Sequence, residues 1–467
     1  MKLFKDYSNY LIPIIILLAL LLRFYQLNFE DYWLDEQLPF WVSDPNISLS
    51  ETLSRREFID QRPPLFHLIL KITFLTFGYN SEIGRYVPFI FGCLSLFALL
   101  MLANELNFKK EKLFFIFLLS SNIYLIKYSQ ETTPYSLVFF LSSLNILFYY
   151  KIIRNKLSNK GNKKNIFLFY LFSVLSLSAH PFVMIILFSQ FINSTYSFFR
   201  FKIFHKKYFL LILPILLTFV FVNFSYLTDQ LSYKEYFLDH TKISFFYNFF
   251  FSRFFGSNIM GALYLFVFLS LIITSLKLLF IKENRIIFLL FLIFFSYFIP
   301  LMYEYVRFPI LTDRYIMFVL IPIFTIISYF AFVNENIKFK KIIIITVVIA
   351  TLVNLFIEIV YRENTKPEYN KILNKILTNN NLNVSLYSDQ KTYPVLKNYI
   401  INLEIFKNNN FYFNEINHYV NNKKDFWLIC YEPVVGFNCK ININEDIDYN
   451  VVETFTFHLI NAKKITF

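Results

Sequence analysis

Glycine is scarce here, 7 residues in 467. Little room is left for loops that cradle phosphate through backbone N–H groups, and neither a G-x-G-x-x-G nor a Walker pattern occurs. Charge is thin as well: Asp, Glu, Lys and Arg make up 16%, against about 25% in an average soluble protein. With 56% hydrophobic residues and a mean hydropathy of +0.48, disorder, collagen and an ordinary cytosolic enzyme are excluded. Length alone would otherwise suit about three soluble domains of roughly 150 residues. Cysteine occurs three times, at Cys93, Cys430 and Cys439. That rules out a disulfide scaffold, and no metal-finger spacing exists.

What the chain has instead is long apolar runs, written largely in its 63 phenylalanines and in isoleucine. A hydrocarbon core of about 30 Å needs roughly 20 apolar residues. Eleven stretches qualify as candidate spans, at 10–27, 86–106, 113–127, 133–150, 165–179, 181–199, 208–226, 258–276, 286–303, 315–333 and 342–360. Pro181 marks a tight turn between the fifth and sixth. The shorter run Leu65–Phe77 reads as an interfacial or re-entrant helix. The first stretch lacks a small-x-small cleavage site and reads as a signal anchor.

The net charge of +13 has a topological explanation rather than a nucleic-acid one. With the N-terminus inside, the inner segments hold 21 Lys and Arg, and the much longer outer loops hold 11. This is the positive-inside pattern. An odd number of spans then places residues 361–467 outside. That tail is polar and Asn-rich, with strand-like runs at Asn383–Tyr387, Phe426–Tyr431 and Val451–Leu459 and a helical stretch after Tyr393. It has the size of one small α/β domain. In an oxidising compartment Cys430 and Cys439 can pair; the sequence leaves that open. The expected organisation is a membrane domain over 1–360 and an extracytoplasmic α/β domain over 361–467.

The outer loop 28–85 carries nine acids against five bases. It begins Glu30-Asp31-Tyr32-Trp33-Leu34-Asp35-Glu36, and carboxylates this close to a span are functional candidates. For Glu30 and Asp31 the reading is ordinary loop acids; Asp35 is the candidate with chemistry.

Arg23 followed by Trp33-Leu34-Asp35-Glu36 resembles the start of the bacterial glycosyltransferases similar to dolichyl-phosphate-mannose–protein mannosyltransferases, which share the GT-C membrane fold. Further blocks follow in order: Arg62-Pro63-Pro64-Leu65-Phe66-His67, Phe77-Gly78, Arg85-Tyr86-Val87-Pro88, Tyr128-Ser129-Gln130-Glu131-Thr132-Thr133-Pro134-Tyr135, Ala179-His180 and Asp313-Arg314-Tyr315. There are two departures. Gln61-Arg62-Pro63-Pro64 keeps the base but not the acid of the "E-K-P-P" found in relatives that transfer aminoarabinose, and Thr133 stands where an Arg is usual.

The resemblance implies a multi-span α-helical GT-C protein of about eleven transmembrane helices. Such an enzyme takes a sugar from a polyprenyl-phosphate donor and gives it to a hydroxyl-bearing acceptor, with inversion, at the outer face of a bacterial inner membrane. A lipid-borne donor accounts for the missing nucleotide signature; no nucleic-acid partner is expected. A hydroxyl nucleophile needs a carboxylate base and a leaving phosphate needs cations. Asp35 and Glu36 are therefore the catalytic candidates, and Arg62, Arg85 and Arg314 the donor-phosphate candidates. Glu131, His180 and Asp60 are candidate substrate contacts. Arg253 is a weaker candidate. No cofactor is called for with certainty; His180 with Glu36, Glu131 or Asp60 could hold a divalent metal, though a capping role for the histidine is simpler, and no metal ligands are assigned. Competing readings are a transporter or flippase of lipid-linked sugars, a GT-C polymerase or ligase, and a non-catalytic assembly subunit.

Overall fold

The computed structural model describes residues 3–59, 62–154, 162–202, 205–224, 227–228, 240–275, 284–333, 337–379, 383–388, 393–431 and 449–467. Asp60, Gln61 and Cys439 lie outside these residues. The chain divides into two compact units. One comprises Met1–Tyr25, Gln61–Phe66 and Pro88–Tyr361; the other comprises Gln26–Asp60, His67–Val87 and Arg362–Phe467. The acidic loop, grouped with the membrane part in the sequence reading, thus packs with the C-terminal residues.

Each of the eleven expected stretches contains a helix, although several end a few residues short of the expected bounds and one is interrupted. Among the described residues, six helices are long and apolar enough to cross a membrane: Ser81–Glu105, Tyr135–Ile153, Pro181–Arg200, Ile286–Val306, Asp313–Val333 and Lys338–Val360. Tyr10–Phe24 and Asn258–Thr274 are shorter apolar helices, as is Leu65–Phe77, which begins directly after the proline pair. Helices Tyr135–Arg154 and Leu320–Val333 are buried along nearly their whole lengths. Helix Ile337–Val360 instead turns Ile345, Ile349, Val353 and Phe356 outward. This is an apolar stripe at helical spacing suited to lipid.

One expected span is broken. Helix Glu111–Ser121 stops at Asn122, whose backbone is extended, and helix Ile123–Tyr128 starts there with the Asn122 side chain accepting from the Leu125 N–H. Carbonyls freed by such a break need partners when water is absent. The buried Arg23 guanidinium supplies them, donating to the carbonyls of Leu119 at 3.3 Å, Ser120 at 3.2 Å and Ala19 at 3.1 Å. Gln130 in turn donates to the carbonyls of Arg23 and Tyr25. Arg23 is therefore a helix-joining cation.

The second unit holds a five-stranded sheet of strands β1 (Val384–Tyr387), β2 (Phe411–Phe413), β3 (Phe426–Tyr431), β4 (Asn450–Phe457) and β5 (Ile460–Thr466), ordered β2-β1-β3-β5-β4. β1 runs parallel to β2 and β3, whereas β5 is antiparallel to both β3 and β4. β3 reads as the continuous apolar run Phe-Trp-Leu-Ile-Cys-Tyr and is buried throughout, as a central strand covered on both faces must be. Tyr387, Tyr419, Phe426, Leu428, Cys430 and Ile465 form one core. Cys430 is disulfide-bonded and Cys93 is free.

Candidate functional site

Asp35 and Glu36 sit in the first turn of helix Leu34–Val42, where the helix dipole favours anions. Trp33 precedes them in extended conformation and gives no side-chain cap. The two carboxylates differ sharply. Asp35 is partly exposed, and its charge adds to burial in pushing the Tyr431 hydroxyl up to about 12. Glu36 is wholly buried. One Glu36 oxygen accepts from the Lys366 ammonium at 2.7 Å, and Arg85 lies 3.5 Å from both oxygens.

Arg85, expected to hold donor phosphate, is thus the ion-pair partner of Glu36. It also donates to the carbonyls of Leu27 and Asp31 and lies over the Tyr32 ring. Glu30 and Asp31, read as loop acids, are structural anchors. Glu30 accepts from the Thr365 N–H and hydroxyl and pairs with Arg362 at 3.6 Å; Asp31 accepts from the Asn370 backbone and side-chain amides. Burial raises the Asp31 carboxyl above its ordinary range, against the hydrogen bonds from Asn370. Sequence reasoning missed Arg362, Lys366 and Asn370, because it treated everything past 360 as a separate domain. The cations placed directly after the last span were the available signal.

The first unit has its own polar cluster. Tyr124 donates to one Asp313 carboxylate oxygen at 3.0 Å, and Arg253 donates to the other at 2.9 Å. The Arg314 guanidinium lies 5.8 Å from the ring centres of both Tyr135 and Tyr315. His180 packs 4.8 Å from the Tyr315 ring, and its Nδ1 accepts from the Phe182 N–H at the start of the short 3-10 turn Pro181–Val183. That is a capping histidine. Glu131 is buried in the segment between Tyr128 and Tyr135. Arg62 is half-buried at the start of the proline pair. Segments around Tyr124–Tyr135, His180, Arg253 and Asp313–Tyr315 thus bring an acid, two arginines, a histidine and tyrosines together. Tyr124 was the member that sequence reasoning did not single out. Among the described residues no group of three or more His, Cys, Asp or Glu is placed to hold a metal ion.

The fold is that of the GT-C glycosyltransferases. Over 98% of both chains it is similar to apo ArnT from Cupriavidus metallidurans, with a TM-score of 0.62 at 9% identity. The same protein bound to undecaprenyl phosphate is matched over 97% of both chains, with a TM-score of 0.58 at 10% identity. The Archaeoglobus fulgidus oligosaccharyltransferase AglB, in complex with an inhibitory peptide and a dolichol-phosphate, gives 0.52 at 10% identity. That match covers 87% of this chain and 64% of AglB. No protein-family model matches the sequence, and no curated protein matches it.

Proposed function

We propose that this chain is an inner-membrane glycosyltransferase of a bacterium, moving a sugar from a polyprenyl-phosphate donor to a hydroxyl on a protein, lipid or glycan at the outer face. The observation that carries the reading is the whole-length likeness to a protein bound to undecaprenyl phosphate. Gln61 in place of the acid and Thr133 in place of the arginine argue against aminoarabinose as the sugar.

In the proposed step Asp35 takes the acceptor O–H proton as the acceptor oxygen bonds the anomeric carbon. The bond from that carbon to the phosphate oxygen breaks on the opposite side, so configuration inverts. The polyprenyl phosphate leaves with the electron pair. Arg62 and Arg314 hold the phosphate, whose charge grows as the bond breaks; both are arginines, suited to forked contact with phosphate oxygens. Glu36 and Arg85 support the base rather than touch substrate, because they are buried against each other. Glu131 and His180 remain candidate contacts for the donor sugar.

The test is purified full-length protein with a panel of short-chain polyprenyl-phosphate sugars and envelope extract as acceptor source. Release of polyprenyl phosphate with sugar appearing on the acceptor is expected, and turnover should persist in a strong chelator. No transfer and no hydrolysis across the panel would overturn the reading. Loss in chelator, restored by a divalent ion, would return His180 and Glu131 to consideration as ligands.

A further inference from the structure

Three carboxylates of the acidic loop are held by one short stretch of the C-terminal residues. Glu30 is met by Arg362 and Thr365, Asp31 by Asn370, and Glu36 by Lys366. Asp35 lies between the second and third of these anchors, one residue from Glu36. Helix Leu34–Val42 has no side-chain N-cap; its first turn is held by the Gln37 side chain, which donates to the Tyr32 carbonyl at 2.8 Å, and by the grip on Glu36, the nearer of the two to Asp35 in the chain.

Arg85 alone neutralises Glu36, at 3.5 Å, but its guanidinium is shared with the carbonyls of Leu27 and Asp31. Lys366 lies closer to Glu36 than Arg85 does, at 2.7 Å. A second buried cation adds desolvation cost that charge balance does not require. Its effect is therefore directional: it pins one Glu36 oxygen, and with it the backbone that carries Asp35.

We propose that Lys366 is a positioning residue for catalysis, acting through Glu36 to hold Asp35 in place. The proposal rests on the transfer reading above. Lys366→Met leaves the Glu36–Arg85 pair balanced, so the variant should fold.

The experiment compares full-length wild type, Lys366→Met, Lys366→Gln, Lys366→Arg and, as a control, Lys371→Met, which loses only an exposed pair with Glu368. Rates and donor KM are measured with a short-chain polyprenyl-phosphate sugar, together with melting in detergent and hydrogen exchange of amides 34–37. For Lys366→Met, kcat should fall about 10- to 100-fold, as misplacement of a reacting group costs. Donor KM should stay within about twofold, since ground-state binding is untouched. Exchange at 34–37 should quicken while the melting temperature holds. Lys366→Arg should recover most of kcat, and Lys371→Met should match wild type. Lys366→Gln carries the same expectation as Lys366→Met should the latter not fold. Wild-type kcat in Lys366→Met, or a loss that only tracks a lowered melting temperature and is not rescued by Arg, would overturn the proposal while leaving the transfer reading standing. Wild-type protein that transfers nothing removes the transfer reading, and this proposal with it.

Discussion

At the scale of single residues, neighbouring carboxylates take opposite parts. Asp35 is partly exposed and Glu36 is sealed between two cations. Under the proposed mechanism Asp35→Asn keeps shape and removes the base, so turnover should fall by on the order of 10²-fold or more with donor affinity little changed. Arg62→Ala should instead weaken donor binding and slow transfer together. Rates and donor affinities measured on both variants check this; near-normal turnover in Asp35→Asn would move the base to Glu131. Glu36→Gln is a different experiment, because it strands Arg85 and Lys366 as buried cations. Breaking a buried pair costs about 3–5 kcal/mol, so that variant should show its damage in melting before kinetics. Asp31 supplies a pH signature. Its carboxyl is raised in the folded protein, so the folded state holds the proton more tightly than the unfolded chain. Its contribution is fullest below the ordinary aspartate value of about 3.9 and is lost as pH rises through the folded value. Unfolding followed across that range should show a shallower fall with pH in Asp31→Asn; an unchanged slope would show that Asp31 does not couple to folding.

At the scale of elements, the apolar runs were legible because hydrophobicity alone selects a membrane helix. Strands β1, β3 and β4 were legible too, as short β-branched and aromatic runs. Two strands were not. β2 spans three residues, and β5 carries Lys463 and Lys464 in its middle, which hides its buried positions Ile460, Ala462 and Ile465. Helix Tyr369–Asn379 was hidden by its asparagines and lysines, although Ile372, Leu373 and Ile376 give it a buried face. The break at Asn122 escaped because the run on either side stays apolar; only Arg23, almost a hundred positions earlier, reveals it. Arg23→Leu should leave the Leu119 and Ser120 carbonyls without that donor. A loss of about 1–3 kcal/mol per unmet buried acceptor is expected as lowered melting in detergent. Unchanged melting would show that other groups take over the carbonyls.

At the scale of the whole molecule, the Lys and Arg asymmetry predicts that Asn162 and Asn379 lie on opposite sides of the membrane. Cysteines placed there should respond oppositely to an impermeant thiol reagent added from outside, with Asn379→Cys labelled and Asn162→Cys protected. The reverse pattern would invert the topology and put the proposed chemistry on the wrong face. The division into two units was not legible, since local composition changes near residue 361 and says nothing of a loop more than 270 positions earlier. Lys366 contacts Glu36 across 330 positions. A pair so far apart leaves no local trace in one sequence.

That separation carries a consequence for biosynthesis. Residues 26–60 and 67–87 leave the ribosome long before Arg362, Lys366 and Asn370 exist to receive their carboxylates. At about 5–20 residues per second, the roughly 270 intervening residues occupy on the order of 15–55 s. Through that interval the early acidic segment has Arg85 but none of its late partners, so the second unit cannot close until translation is nearly over. A ribosome that stalls in the last spans leaves a chain whose Glu30, Asp31 and Glu36 still await their clamps. Completion of the message thus becomes a condition for arming the base.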